Sequence, residues 1–345
     1  MNTNRSIDLA ALEAPPAVAA VRSIGDGFKN FQALRAGFAS GLFDWLERNG
    51  PAEKSAVAAA LELRGAHLGA FLQTLEDLGL LAREGGAYRL APGMAEVLCA
   101  SSPWRQAEVL DDWLARSSGW SDLARFLSPE WTPAPAQPLS IERHPFLGEA
   151  RRLAAHLAAR FAQPGRRAPR SLLCFDGGDG LLAAALCQRF PEASVTLVVA
   201  PDAPLRAQAT IAACGLAERC RVVPGTPLDP PPREECRGVD CAVLFHSLYP
   251  VRKNTVDALA AVAACLTRGG ELCAAHWFCL EACETAPGGL RDLDKAVLTD
   301  SHPLCHVEQF CQRLEDAGLV DAERADLTGE YGNTKLHFAR RPEGV

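Results

Sequence analysis

The chain has 345 residues, 48% of them apolar and 22% charged, with a formal net charge of −7 and a sequence pI near 5.7. That balance is ordinary for a globular protein of two domains, and it disfavours a nucleic-acid partner, which selects a basic face. No apolar run approaches the ~18 residues of a membrane span, and Met1-Asn2-Thr3-Asn4-Arg5 opens without a signal-peptide core, so a cytoplasmic location is expected.

The apolar stretch from Phe28 to Trp45 predicts one helix, and Glu53 to Leu61 and His67 to Leu80 predict two more. Leu80-Leu81-Ala82-Arg83-Glu84-Gly85-Gly86-Ala87-Tyr88-Arg89-Leu90 then reads as strand, glycine turn, strand. Helices followed by such a hairpin form a winged-helix pattern. Residues 1–100 carry nine Lys/Arg against eleven Asp/Glu, so dimerisation is the expected role of a domain spanning 1–102. Residues 103–165 are expected as a helical linker that contributes to a substrate pocket. They carry Trp104, Trp113, Trp120, Phe126 and Trp131, break at a proline-rich joint from Pro129 to Pro138, and resume as a helix from Phe146 to Phe161. The aromatics read either as core or as the wall of a pocket for a flat substrate.

From residue 166 to 345 strands and helices alternate. Candidate strands are Ser171–Phe175, Ser194–Val199, Arg221–Val223, Asp240–His246 and Glu271–His276, with a last one from Lys335 to Arg340. Helices are expected at 181–190, 203–214, 255–267 and 305–317. Such alternation implies a mostly parallel, doubly wound sheet whose ligands sit beyond the carboxyl ends of the strands. The thirteen cysteines, an odd number, read as reduced and buried thiols. His276, Cys279 and Cys283 have i, i+3, i+7 spacing, with Cys305-His306 further on, but no Cys-x-x-Cys knuckle accompanies them. Packing is the favoured reading, and no metal is expected.

Four stretches follow one another in a familiar order: Leu75-Glu76-Asp77-Leu78-Gly79-Leu80-Leu81 through Tyr88-Arg89-Leu90-Ala91-Pro92; Phe175-Asp176-Gly177-Gly178-Asp179-Gly180 ending in Phe190-Pro191; Leu266-Thr267-Arg268-Gly269-Gly270-Glu271-Leu272; and Glu315-Asp316-Ala317-Gly318-Leu319. On them the chain, from about residue 28 to 341, resembles the dimeric class I S-adenosylmethionine-dependent small-molecule O-methyltransferases. The resemblance implies an α/β protein in which an N-terminal winged-helix-like dimerisation domain precedes a Rossmann-like class I methyltransferase domain. It also implies a homodimer, a small-molecule substrate of natural-product metabolism, and S-adenosylmethionine as cofactor. Gly177, Gly178 and Gly180 would form the cofactor's glycine loop, with Asp202 and Thr226 as further contacts.

Position by position, this sequence departs from the family's polar pattern. The acid that opens the first loop falls on Cys174 and the first loop glycine on Asp176. The ribose-binding acid falls on Val199, the adenine-side Gly-Asp pair reads Gly225-Thr226, and the catalytic His-Asp-Trp falls on Tyr249-Pro250-Val251. His246 stands three residues before the base position, and His276 replaces the carboxylate closing the fifth strand. His246, Tyr249, His276 and Asp176 are therefore the candidate catalytic residues, near strand ends where His and Asp can serve as acid and base. The leading expectation is acid–base chemistry without methyl transfer, such as rearrangement, cyclisation or elimination. A methyltransferase with altered cofactor contacts and a non-catalytic binding protein are the alternatives.

Overall fold

The computed structural model describes residues 13–116, 118–132, 140–201, 204–231, 236, 238–278, 288–300 and 304–343. The chain divides into two compact units, Met1–Trp113 and Leu114–Val345. Among the described residues no helix is long and apolar enough to cross a membrane.

The first unit runs α1 (Val18–Ala39), α2 (Leu42–Asn49), α3 (Lys54–Ala60), α4 (Gly65–Asp77), the antiparallel hairpin β1 (Leu81–Glu84) and β2 (Ala87–Leu90), α5 (Ala95–Leu98) and α6 (Ala107–Leu114). The single helix expected over 28–45 is two. Gly41 adopts a left-handed φ of 70° between α1 and α2, a conformation that ends one helix and starts the next. Phe43, Leu46, Val57, Leu72, Leu75, Leu81 and Tyr88 meet in one core.

The second unit holds α7 (Leu123–Phe126), α8 (Leu147–Phe161), β3 (Ser171–Phe175), α9 (Leu181–Arg189), β4 (Ser194–Val199), α10 (Pro204–Ala213), β5 (Cys220–Pro224), β6 (Val239–Phe245), α11 (Thr255–Ala263), β7 (Leu266–His276), α12 (Gly289–Thr299), α13 (Phe310–Asp316), β8 (Val320–Gly329) and β9 (Gly332–Arg340). Its seven-stranded sheet has the order β5-β4-β3-β6-β7-β9-β8. Strands β3 to β7 pair in parallel, whereas β9 runs antiparallel to β7 and β8 to β9. Apolar residues cover both faces, which is why the central strands are continuous apolar runs. Chain order reverses between the neighbours β3 and β6, so the crevice at their carboxyl ends is the switch point where ligands of such sheets bind.

Strand β8 is absent from the sequence expectation. Val-Asp-Ala-Glu-Arg-Ala-Asp-Leu-Thr-Gly is a largely exposed edge with one buried residue, Leu327, and offers no apolar run to read. The aromatic segment after residue 114 is tied to α12 and its end: the indole N–H groups of Trp120 and Trp131 donate to Asp294 and Asp300.

Candidate active site

The carboxyl ends of β6 and β7 and the start of β9 meet at one end of the sheet. Strand β6 stops at Phe245, and His246 leaves it with φ of 48°, a left-handed conformation that a non-glycine residue holds only where its surroundings fix it. The fixing groups come from the end of β7. Ala275 O accepts the His246 backbone N–H at 3.0 Å, and His276 Nε2 accepts the backbone N–H groups of Ser247 and Leu248 at 3.1 Å each. The Trp277 N–H donates to the Tyr249 hydroxyl at 3.0 Å. Residues 246–249 are thus a clamped turn.

The clamp turns the His246 ring between two partners. Nδ1 lies 2.7 Å from the Tyr249 hydroxyl and Nε2 lies 2.8 Å from Glu149 Oε1. Glu149 comes from the first turn of α8, in a buried stripe with Ala150, Leu153, Ala154 and Leu157. A carboxylate in such a stripe needs partners. Thr334 of β9 supplies another by donating its hydroxyl to Oε1, and accepts the Trp277 indole N–H at 3.0 Å. A carboxylate only accepts, so the network assigns the His246 hydrogen to Nε2 and leaves Nδ1 to accept from the Tyr249 O–H. Burial pushes the Glu149 carboxyl up. His246, its hydrogen bond, the Thr334 hydrogen bond and Lys295 outweigh burial and hold it below the usual carboxylate range. The His246 and Glu149 side chains are 6% and 4% exposed, which keeps bulk water off the pair.

Aromatic rings enclose this relay. The Trp277 and Phe146 ring centroids lie 4.3 and 5.1 Å from His246, and Tyr331 lies 5.7 Å from Trp277. The buried ammonium of Lys295 sits 5.3 Å over the Trp277 ring and pairs with Asp292 at 3.2 Å. His276 stands behind the relay rather than in it. Because its Nε2 accepts two amides, its hydrogen is on Nδ1. Burial, with His246 and His337 nearby, lowers its pKa well below the ordinary histidine value and keeps it neutral.

The glycine loop is organised separately. Gly177, Gly178 and Gly180 have φ of 73°, 103° and 79°, and a Cβ at Gly180 would meet the backbone of Ala207 at 3.1 Å. The Asp176 carboxylate is folded back into this loop and accepts backbone N–H groups from Gly178, Gly180 and Ala183. Cys174 is a buried thiol, pushed up by burial and by Asp176. Thr226 lies beyond β5, where its N–H donates to Asp229 O and its hydroxyl accepts the Asp229 N–H, both at 3.0 Å. Asp202, Cys279 and Cys283 lie outside the described residues.

Of the expected catalytic residues, the fold brings His246, Tyr249 and His276 together and places Asp176 in the neighbouring loop. It adds Glu149, Thr334, Trp277 and Lys295, which sequence reasoning missed. Glu149 did leave a signal, a lone carboxylate inside the Leu/Ala stripe of the helix from Phe146 to Phe161.

No protein-family model matches the sequence, and no curated protein matches it. Solved structures do match in three dimensions. An O-methyltransferase family protein from Burkholderia thailandensis superimposes with a TM-score of 0.72 at 21% identity, covering 96% of this chain and 100% of that one. PigF, solved with SAH, gives 0.68 at 20% identity, covering 95% and 100%. Human N-acetylserotonin methyltransferase, solved with SAM, gives 0.62 at 20% identity, covering 96% and 99%. The fold is that of the class I O-methyltransferases. It extends over nearly the whole chain.

Proposed function

We propose that the protein is a small-molecule enzyme that transfers a proton at the Tyr249 hydroxyl, with His246 and Glu149 as its relay. The observation that carries this reading is the buried chain Tyr249–His246–Glu149, in which one hydrogen assignment satisfies every member. As a substrate O–H or C–H proton passes to the Tyr249 oxygen, the tyrosine's own proton moves to His246 Nδ1. The resulting imidazolium is stabilised by the Glu149 carboxylate, and the Trp277 N–H holds the phenol oxygen, which stays neutral overall, in position. Reversal of the same path returns the proton as general acid. Lys295 and the rings of Phe146, Trp277 and Tyr331 suit a planar substrate, and the resemblance implies one drawn from natural-product metabolism.

A second reading, methyl transfer with the same relay as base, is favoured by the neighbours solved with SAH and SAM. Mass spectrometry on a panel of aromatic hydroxy compounds, with and without S-adenosylmethionine, separates the two. The proposal expects an isomeric or eliminated product without the cofactor. Tyr249→Phe and His246→Asn should each lower turnover by about 10²-fold or more. A methylated product formed only with S-adenosylmethionine sinks it.

The N-terminal unit is proposed as a winged-helix-like dimerisation domain. Helix α1 exposes Val21, Ile24 and Phe28 at 70%, 78% and 63%, an i, i+3, i+7 stripe of the kind a second copy covers. Light scattering should give twice the chain mass of 36.9 kDa; the monomer mass contradicts the assignment.

A further inference from the structure

The resemblance to the O-methyltransferases puts the methionine end of S-adenosylmethionine, with its carboxylate, against the loop 176–180. In an open glycine loop the backbone N–H groups at the start of the following helix face such an anion. Here they are already engaged. Asp176 is 6% exposed, and its Oδ1 accepts the Gly178 and Gly180 N–H groups at 3.3 and 3.2 Å while Oδ2 accepts that of Ala183 at 3.5 Å. The nine-residue helix α9 therefore carries an anion of its own at its N-terminus.

The mouth of the loop is engaged as well. Asp179 Oδ1 accepts from Arg206 of α10 at 2.8 Å, and Oδ2 lies 3.1 Å from His144 Nε2. Burial pushes Asp179 up, but these two partners outweigh it and hold its carboxyl below the usual range. Two carboxylates thus stand in this loop, and the inner one, Asp176, already takes the backbone N–H groups that an anionic ligand would use. A third, from a ligand, would compete for the same N–H groups while buried beside like charge.

We infer that the chain fills the anion seat of its own glycine loop, with Asp176 inside and Asp179 at the mouth, so that the loop is a structural latch and does not hold the aminoacyl end of S-adenosylmethionine. The residues present do not fit that cofactor in the manner of the resemblance. This inference stands apart from the proton relay, so a change at Tyr249 leaves its test unaffected.

Calorimetry with S-adenosylmethionine on the whole protein decides it. The wild type should show no saturation up to about 1 mM, and Asp176→Gly, which empties the seat, should bind about tenfold tighter or better. Asp176→Ala provides the same reading if the glycine variant does not fold, with circular dichroism as the check. Micromolar binding by the wild type overturns the inference. So does a folded Asp176→Gly or Asp176→Ala that binds no tighter than the wild type.

Discussion

Glu149 decides whether His246 can take a proton from Tyr249. An amide of the same shape would keep the packing but face the His246 Nε2–H with a weaker acceptor or with its own donors. The sign of the pH effect follows from the lowered Glu149 pKa. A carboxyl lowered by folding contributes stability that is present above its unfolded value of 4.5 and is lost as pH falls through the lower folded one. Glu149→Gln should therefore unfold more easily at pH 7, by about 1–3 kcal/mol. The difference should shrink in acid as the wild-type carboxyl takes up its proton. Denaturant titrations between pH 3 and 7 check this; a gap that stays constant with pH would mean that the glutamate acts through packing alone.

Elements show what was legible in the sequence and what was not. Strands β3 and β4 match their expected spans because buried parallel strands are written as short apolar runs. The edge strand β8 has no such run and stayed invisible. The strand expected to include His246 ends one residue earlier, because the turn is pinned by His276 and Trp277, some thirty positions later in the chain. Long-range clamps of this kind leave no local pattern, so His246 and Tyr249 were readable as candidates, while Glu149 showed only as a lone carboxylate in an apolar stripe with nothing local to name His246 as its partner. The helix break at Gly41 is the opposite case, a local conformation in an apolar stretch that read as continuous. A Cβ at Gly41 meets nothing within 4 Å, so only its left-handed backbone is at stake. Gly41→Ala should destabilise the protein by about 1 kcal/mol, with Gly41→Asn milder, as thermal melts would show. Equal stability of wild type and alanine variant would place the break elsewhere.

Across the whole molecule, the sheet stores titratable groups in their neutral or paired forms. His337 of β9 is fully buried, ringed by Phe278 and Phe310, and neither ring nitrogen has a hydrogen-bond partner among the described residues. Burial and Arg324 push its pKa down to about 4, with Asp326 opposing and Lys335 adding. A histidine lowered in this way loses stability as pH falls from its unfolded value of 6.5 toward 4, by up to about 3 kcal/mol. His276 adds to the same slope. Asp176 opposes it: burial first, then Asp179, raise it to about 6 against three backbone hydrogen bonds. Its contribution is therefore full below 3.8 and is lost as pH rises through 6. His337→Leu should flatten the acid limb and be nearly neutral or stabilising at pH 7, because an apolar side chain leaves no orphaned nitrogen. Melting curves at pH 5 and pH 7 test this, and a leucine variant that loses as much stability in acid as the wild type would contradict it.

The relay depends on one hydrogen: His246 must carry it on Nε2, facing Glu149, for Nδ1 to receive a proton from Tyr249. Long-range nitrogen–proton spectra of the labelled imidazole read that assignment without any substrate. The expected result is a protonated Nε2 that shifts in Glu149→Gln and an unprotonated Nδ1 that shifts in Tyr249→Phe. A hydrogen resident on Nδ1, with Tyr249 as its acceptor, would disconnect the relay and contradict the account.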